Sequence, residues 1–221
     1  MFAHPAANQE REIEMLTILG RATSANVQKV TWLCDECKIE FKREDIGGKF
    51  GGNDKPEYLK LNPNGRVPTV IDDGFVIWES NAILQYLASK HAQGTWYPTD
   101  LKARGRAVQW MDWAVSTYSP AHGPVFMGLI RTPPEKRDMA AINKARDAWS
   151  KCVAMLDGHL AGSKYIAGDM ITMGDMPVAI FSWRWFGLPI QRENYPNLKR
   201  WYDSIASRPA FKKNVIDIGL S

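Results

Sequence analysis

Short apolar runs fill the first ninety residues, and their spacing alternates between strand-like and helical. "MLTILG" (15–20) is a brief apolar run stopped by Gly20, the pattern of a buried strand. From Ser24 the apolar positions Val27, Val30, Leu33, Cys34 and Cys37 recur every three or four residues, which predicts a helix. "EFKREDI" (40–46) alternates as a strand, and "GGKFGGNDK" then breaks regular structure. "VPTVID" and "FVIWES" (75–80) are two further strands joined by "DDG", a hairpin signal. "SNAILQYLASKH" (80–91) is an amphipathic helix beginning at a serine cap. The order β-α-β, loop, β-β-α predicts an α/β unit over residues 15–92.

After the turn-rich "AQGTWYPTD" (92–100) the strand signals stop. Residues 101–119 predict a helix with Val108, Met111 and Val115 on one side, and Pro120, Gly123 and Pro124 predict a kink or break before "VFMGLI". Residues 134–160 predict a long helix whose stripe is Ile142, Trp149, Cys152, Val153, Leu156 and Leu160. In "ITMGDMPVAIFSWRWF" Thr172 stands three residues before Asp175, the spacing of a capping box with Asp in place of Glu. "YPNLKRWYDSIASRP" (195–209) is a last helix closed by Pro209. Residues 100–221 therefore read as all-α. Residues 1–14, "MFAHPAANQEREIE", lack the apolar core and leading positive charge of a signal peptide and read as an extension ahead of the first strand.

Composition narrows the function classes. A chain of 221 residues with 45% hydrophobic and 24% charged residues can bury one large core or two small ones. The net charge of +4 suits small anions, but the basic residues are dispersed, which argues against nucleic acid. Three cysteines make no disulfide framework and suit a reducing, cytoplasmic setting. The four histidines are scattered, so no metal site is expected. The longest apolar stretch, "MPVAIFSWRWFGLPI", is interrupted by Arg184 and falls short of the roughly 18 residues of a membrane span. Nine tryptophans remain to be explained.

"NPNGRVPTV" (62–70), then "WESNAILQYLASKH" (78–91), then a helical region with "TMGD" at 172–175, resembles the cytosolic glutathione S-transferases over residues 15 to about 209. The resemblance implies a thioredoxin-like domain followed by a helical bundle, a homodimer, and glutathione as cosubstrate in detoxifying conjugation to small hydrophobic electrophiles. Glutathione carries two carboxylates and an amine, and "WES" offers the free N–H groups of a helix start, the Ser80 hydroxyl and the Glu79 carboxylate. The family's Glu/Ser pair, which holds the γ-glutamyl end, falls on Glu79 and Ser80; Ser80 can equally be a helix cap. The resemblance also implies a cis peptide at Pro68, with Val67 pairing with the cysteinyl backbone and Arg66 meeting the glycyl carboxylate.

Two stretches of the first helix compete for the chemistry. At its front, "TSANVQK" has neither Tyr nor Cys and resembles bacterial members with a Ser/Thr-x-Asn site, which makes Ser24 and Asn26 the thiolate donors. The competing reading is that one of them only caps the helix. Further along, Cys34 and Cys37 form a Cys-x-x-Cys pair, but Cys34 lies about 15 Å along the axis from Ser24, where the dipole disfavours a thiolate. A structural role is the better reading. Trp113, Met127 and Trp183 are expected either in the wall of an apolar cleft or in the core. Glutathione-dependent disulfide reduction, a peroxidase, and a non-catalytic glutathione-binding module stand as alternatives.

Overall fold

The computed structural model describes residues 15–220; the extension read over residues 1–14 lies outside them. Four short strands form one mixed sheet in the order β2-β1-β3-β4. β1 (Leu16–Leu19) runs parallel to β2 (Phe41–Glu44) and antiparallel to β3 (Thr69–Asp72), which pairs with β4 (Phe75–Trp78). Asp73 and Gly74 take φ of 49° and 77° in the two-residue turn between β3 and β4, as the Asp-Gly signal predicts. The helices of this unit are α1 (Ala25–Glu36), α2 (Pro56–Leu61) and α3 (Ser80–His91), with α1 packed on α3.

Two departures from the sequence reading occur here. The expected loop between β2 and β3 contains α2, started by Pro56 at its first turn and pinned by buried Tyr58. Six residues with one buried side chain carry no readable period. Within "GGKFGGNDK", Gly48–Phe50 makes a single 3₁₀ turn. In addition, α3 begins one residue earlier than a serine cap requires: Glu79 is the capping position and Ser80 the first helical residue.

The second unit is helical throughout. α4 (Leu101–Trp113) passes through a π-helical turn (Ala114–Tyr118) into α5 (Ser119–Phe126) and a second π-helical turn (Met127–Arg131). The chain stays helical where a proline kink or break is expected: Pro120 sits in the first turn of α5, where its missing N–H leaves no orphan, Pro124 lies inside α5, and π-helical turns flank it on both sides. The buried stripe is Ala107, Met111, Ala114 and Tyr118, rotated from the expected Val108, Met111 and Val115, and Val115 faces solvent. α6 (Met139–Ala161) buries Ile142, Trp149, Val153, Leu156 and Leu160, with Cys152 half-buried. α7 (Asp175–Gly187) is buried along almost its whole length and contacts α1, α4, α5 and α8 (Pro196–Ala206). A three-residue helix (Pro209–Phe211) and a π-helical turn (Lys212–Ile216) follow Pro209 and pack back on α1.

The tryptophan surplus lies mainly in the core. Trp32, Trp149, Trp185 and Trp201 are fully buried, and Trp149 meets Trp185 edge-on. The two units are pinned at the C-terminal end of α1. Glu36 accepts from the Trp32 indole at 2.9 Å and takes a bidentate grip from Arg208 at 2.6 Å on both oxygens. The side-chain amide of Asn81 adds a bond to the Met111 carbonyl at 2.8 Å.

Candidate active site

The junction between β1 and α1 is fixed by close packing. Gly20 ends the strand with φ of 156°, and a Cβ there would lie 2.5 Å from a Val27 methyl. That contact seats the first turn of α1 against the end of the sheet. Ser24 holds the capping position but makes no side-chain capping bond, so the reading in which its hydroxyl only caps α1 fails. Asn26, the second residue of α1, is exposed.

Ser80 comes to the same place from the start of α3. Its hydroxyl donates to Asn26 Oδ1 at 3.3 Å and accepts from Lys29 Nζ at 3.2 Å, rather than capping its own helix. Lys29 Nζ also donates to Asn26 Oδ1, at 2.9 Å. An ammonium can only donate, so Oδ1 faces Lys29, and the Asn26 amide nitrogen is left as a donor with no acceptor among the described residues. Lys29 is 1% exposed. Burial pulls its ammonium down to about 7 against the opposing pull of Glu79, and the Arg184 charge lowers it further. Glu79 is held in a left-handed conformation at φ 69° and accepts from Asn64 Nδ2 at 3.3 Å. Such a φ is costly for a non-glycine residue and persists only where the surroundings enforce it.

Two cavities meet at the front of α1. The smaller, about 250 Å³, is lined by Asn53, Gly65, Arg66 and Val67 together with Arg21, Ser24 and Asn26. The larger, about 660 Å³, shares Arg21, Ser24 and Asn26 and extends to the helical unit, where Phe126, Met127 and Phe181 line it. The Val67–Pro68 peptide is cis. Tyr58 and Asn62 both donate to the Arg66 carbonyl, at 2.6 and 2.8 Å, and brace this loop.

The descriptions of the glutathione S-transferase N-terminal and C-terminal domains match residues 14–89 and 109–209. The chain is 40% identical over 204 residues to glutathione S-transferase GstB of Escherichia coli K12, covering 91% of this chain and 98% of that one. This protein belongs to the glutathione S-transferase family. Glutathione S-transferase 3 of Zea mays is 30% identical, covering 93% and 95% of the two chains. A theta-class glutathione S-transferase of Xanthomonas axonopodis pv. citri, crystallised with glutathione bound, superposes with a TM-score of 0.87 at 41% identity, covering 91% and 97%.

Within this transferase fold, the structure brings Ser24, Asn26, Arg66 and Val67 to the two cavities and ties Ser80 to Asn26 by a hydrogen bond. Glu79 and Pro68 line neither cavity: Glu79 is exposed beside Ser80 and accepts from Asn64, and Pro68 is buried next to Val67. Of the expected cleft walls, Met127 lines the larger cavity. Trp113 stacks on Tyr118, and Trp183 is buried in the core. Lys29 and Arg184 went unrecognised in the sequence. One signal was available for both: a cation inside an apolar run, between Val27 and Val30 and within "MPVAIFSWRWFGLPI".

The Cys-x-x-Cys pair is remote from this junction. Cys34 is fully buried, and burial pushes its thiol far above its ordinary range, with Cys37 and Asp35 adding to the effect. Cys37 is pushed up to about 11 by burial, and Glu36 contributes. Neither holds a thiolate at neutral pH.

Proposed function

We propose that this protein joins glutathione, as cosubstrate, to a small electrophile with a hydrophobic body, through a Ser/Thr-x-Asn type of site. The meeting of α1 and α3 at Asn26 carries the reading: a free amide donor is aimed by Lys29 and Ser80 beside the unengaged Ser24 hydroxyl. In this reading Ser24 and Asn26 donate to the thiolate, and Glu79 and Ser80 hold the γ-glutamyl end. Val67, ahead of Pro68, pairs with the cysteinyl backbone, and Arg66 meets the glycyl carboxylate. Residues 15–92 supply the glutathione site, and residues 100–221 wall the electrophile with Phe126, Met127 and Phe181.

The thiol loses its proton to water, sulfur forms the new bond to the electrophilic carbon, and the leaving group departs with its electron pair. Lowering a thiol from about 8.5 to about 6.5 raises the thiolate roughly 25-fold at neutral pH. Reduced basicity takes back about 8-fold in nucleophilicity, if the slope for disulfide exchange transfers. The net gain is about threefold, so most of the acceleration comes from holding thiolate and electrophile together in the larger cavity.

We further infer a cytoplasmic homodimer acting in detoxification. Supporting this are three unpaired cysteines, the exposed Phe50 and Phe75 of the α/β unit, and the lack, among the described residues, of a helix long and apolar enough to cross a membrane. Sedimentation as a 25.0 kDa monomer at micromolar concentration would refute the dimer. Assays with glutathione and an aryl halide, an organic peroxide or a mixed disulfide test the chemistry. Conjugation of the aryl halide is expected. Turnover of only the peroxide or the disulfide would make the protein a peroxidase or reductase, and no turnover with retained glutathione binding would make it a binding module.

A further inference from the structure

We propose that the larger cavity contains an anion-recognition site centred on Arg184, and that the electrophile accepted there carries a carboxylate on its apolar body. This rests on the transferase reading above and names the class of its second substrate.

Arg184, in the last turn of α7, is 8% exposed and lines the cavity. Its Nη1 donates to His122 Nε2 at 2.9 Å, and its Nε is buried with no hydrogen-bond partner. The guanidinium lies over the Phe126 ring at 4.0 Å. No carboxylate pairs with it among the described residues. His122 does not compensate the charge. Its Nδ1 faces the Ser119 carbonyl at 2.9 Å and must donate, so Nε2 carries the lone pair that receives Arg184. Burial, reinforced by the Arg184 charge, lowers His122 to about 3, and the ring is neutral.

The remaining charges of this cavity are all of one sign. Arg21, Lys49 and Arg131 line it with Arg184, and no Asp or Glu among the described residues does. Burial lowers Arg184 to about 10, and Arg131 adds to the effect; burial and Arg131 act in the same direction on Arg21. A buried cation without a counter-ion is expensive, and like charges gathered around it raise the cost further. A bound carboxylate relieves both: it pairs with the cavity-facing edge of the guanidinium and supplies the missing negative charge. The exposed Met127 side chain, with the edges of Phe126 and Phe181, gives the cavity an apolar surface for an aromatic or aliphatic body, and Ser24 and Asn26 stand on the same cavity. A substrate anchored at Arg184 would thus be held with its other end toward the thiolate. In the step itself the C–S bond forms, the C–Cl bond of a chloroarene breaks, and chloride leaves with the electron pair.

The test compares two electrophiles of matched shape, 4-chloro-3-nitrobenzoate and 4-chloro-3-nitrobenzamide, each normalised to its uncatalysed rate with glutathione. The wild-type protein is expected to favour the carboxylate in kcat/KM. Arg184→Gln should lower the carboxylate value about 10- to 100-fold, the amide value far less, and so remove the preference. Arg131→Gln, at an exposed position, should reduce the preference less and make it less sensitive to salt. Calorimetry with 3-nitrobenzoate, which has no leaving group, reports the anion site without turnover. Arg184-dependent binding there, with no conjugation of either chloroarene, would overturn the transferase reading and leave the anion site standing. Equal preference in wild type and both variants would overturn the proposal. So would an equal fall for both electrophiles accompanied by weaker glutathione binding, since Arg184 would then serve a carboxylate of glutathione itself.

Discussion

Two buried charges stand at opposite ends of α7, and the fold treats them in opposite ways. Asp175, in the first turn, is fully buried and saturated. It accepts from the Ile166 and Thr172 backbone N–H groups at 2.9 and 2.8 Å, from the Trp201 indole at 2.8 Å, and from the Thr172 hydroxyl at 3.3 Å. Burial still pushes its carboxyl up to about 6, against those four donors. Arg184, in the last turn, has one bond to a neutral imidazole and an idle Nε–H. A saturated charge ties elements together; a charge left open on a cavity awaits a ligand. The same contrast divides α1, where Asn26 keeps a free donor beside the cavities and Cys34 is sealed in the core.

The largest expected effect breaks the first pair. Asp175→Ala removes the acceptor shared by Ile166, Thr172 and Trp201 and orphans buried donors on three segments, so it should cost about 3–5 kcal/mol of stability in urea unfolding. Asp175→Asn should also destabilise, because each carboxylate oxygen accepts two donors and an amide NH₂ would face two of them. Arg184→Met, in contrast, removes an uncompensated buried cation and should cost about 1 kcal/mol or less, or raise stability. Equal losses at the two positions would end the distinction between them.

The second comparison is sharpened at the front of α1. Asn26→Ala should raise the pKa of bound glutathione, followed by thiolate absorbance near 240 nm (about, for thiolates in general). One donor lost from a charged sulfur is worth roughly 1.5–3 kcal/mol, or about one to two pKa units. Ser24→Ala should move the pKa in the same direction, and the double variant should fall short of the sum because both groups serve one sulfur. An unchanged pKa in Asn26→Ala would remove it from the reaction.

Much of this contrast was legible in the sequence. The Thr172–Asp175 spacing marks a bonded pair at the start of α7, although Gly174 and not Thr172 takes the capping position; "NPNGRVPTV" and "WES" mark the loop and helix start beside the cavities, and strand and helix periods give the order of the main elements. What escaped shares one cause: it depends on how elements pack, not on the pattern within any of them. α2 is too short to show a period, and the π-helical turns are invisible to a count of threes and fours. Lys29 and Arg184 are two of 28 basic residues until α1 meets α3 and α7 meets α5. Only then does burial single them out.

Lys29 gives a pH-dependent effect. Its ammonium is pulled down to about 7 in the folded protein, against 10.5 as the ordinary value. Between these values the unfolded chain binds more protons than the folded one, so the contribution to unfolding free energy rises with pH across that window. It is fully present above about 10.5 and lost as pH falls toward 7. Burial of Cys34 and Cys37 works the other way at alkaline pH, so the quantity to follow is wild type minus Lys29→Met. That difference should climb from pH 7 to 10; a flat line would mean that Lys29 keeps its ordinary affinity for the proton.

The smallest functional effect belongs to the cysteines. Replacing Cys34 and Cys37 together by alanine should leave the glutathione pKa and the conjugation rate within about twofold of wild type, because neither thiol lines the cavities at the front of α1. The core should register the change, since Cys34 is fully buried against the α1 stripe, with a loss of about 1–2 kcal/mol in unfolding. Stability and activity are therefore expected to separate: the melt moves and the rate does not. The reverse outcome, turnover surviving Ser24→Ala and Asn26→Ala but vanishing with the two thiols, would transfer the chemistry along α1 to a dithiol. Such a dithiol would have to form a thiolate at neutral pH while burial holds Cys37 at about 11 and Cys34 higher still. That requires the end of α1 to open, and the Arg208–Glu36 pair and the Asn214 and Lys213 contacts to Asp35 hold it closed.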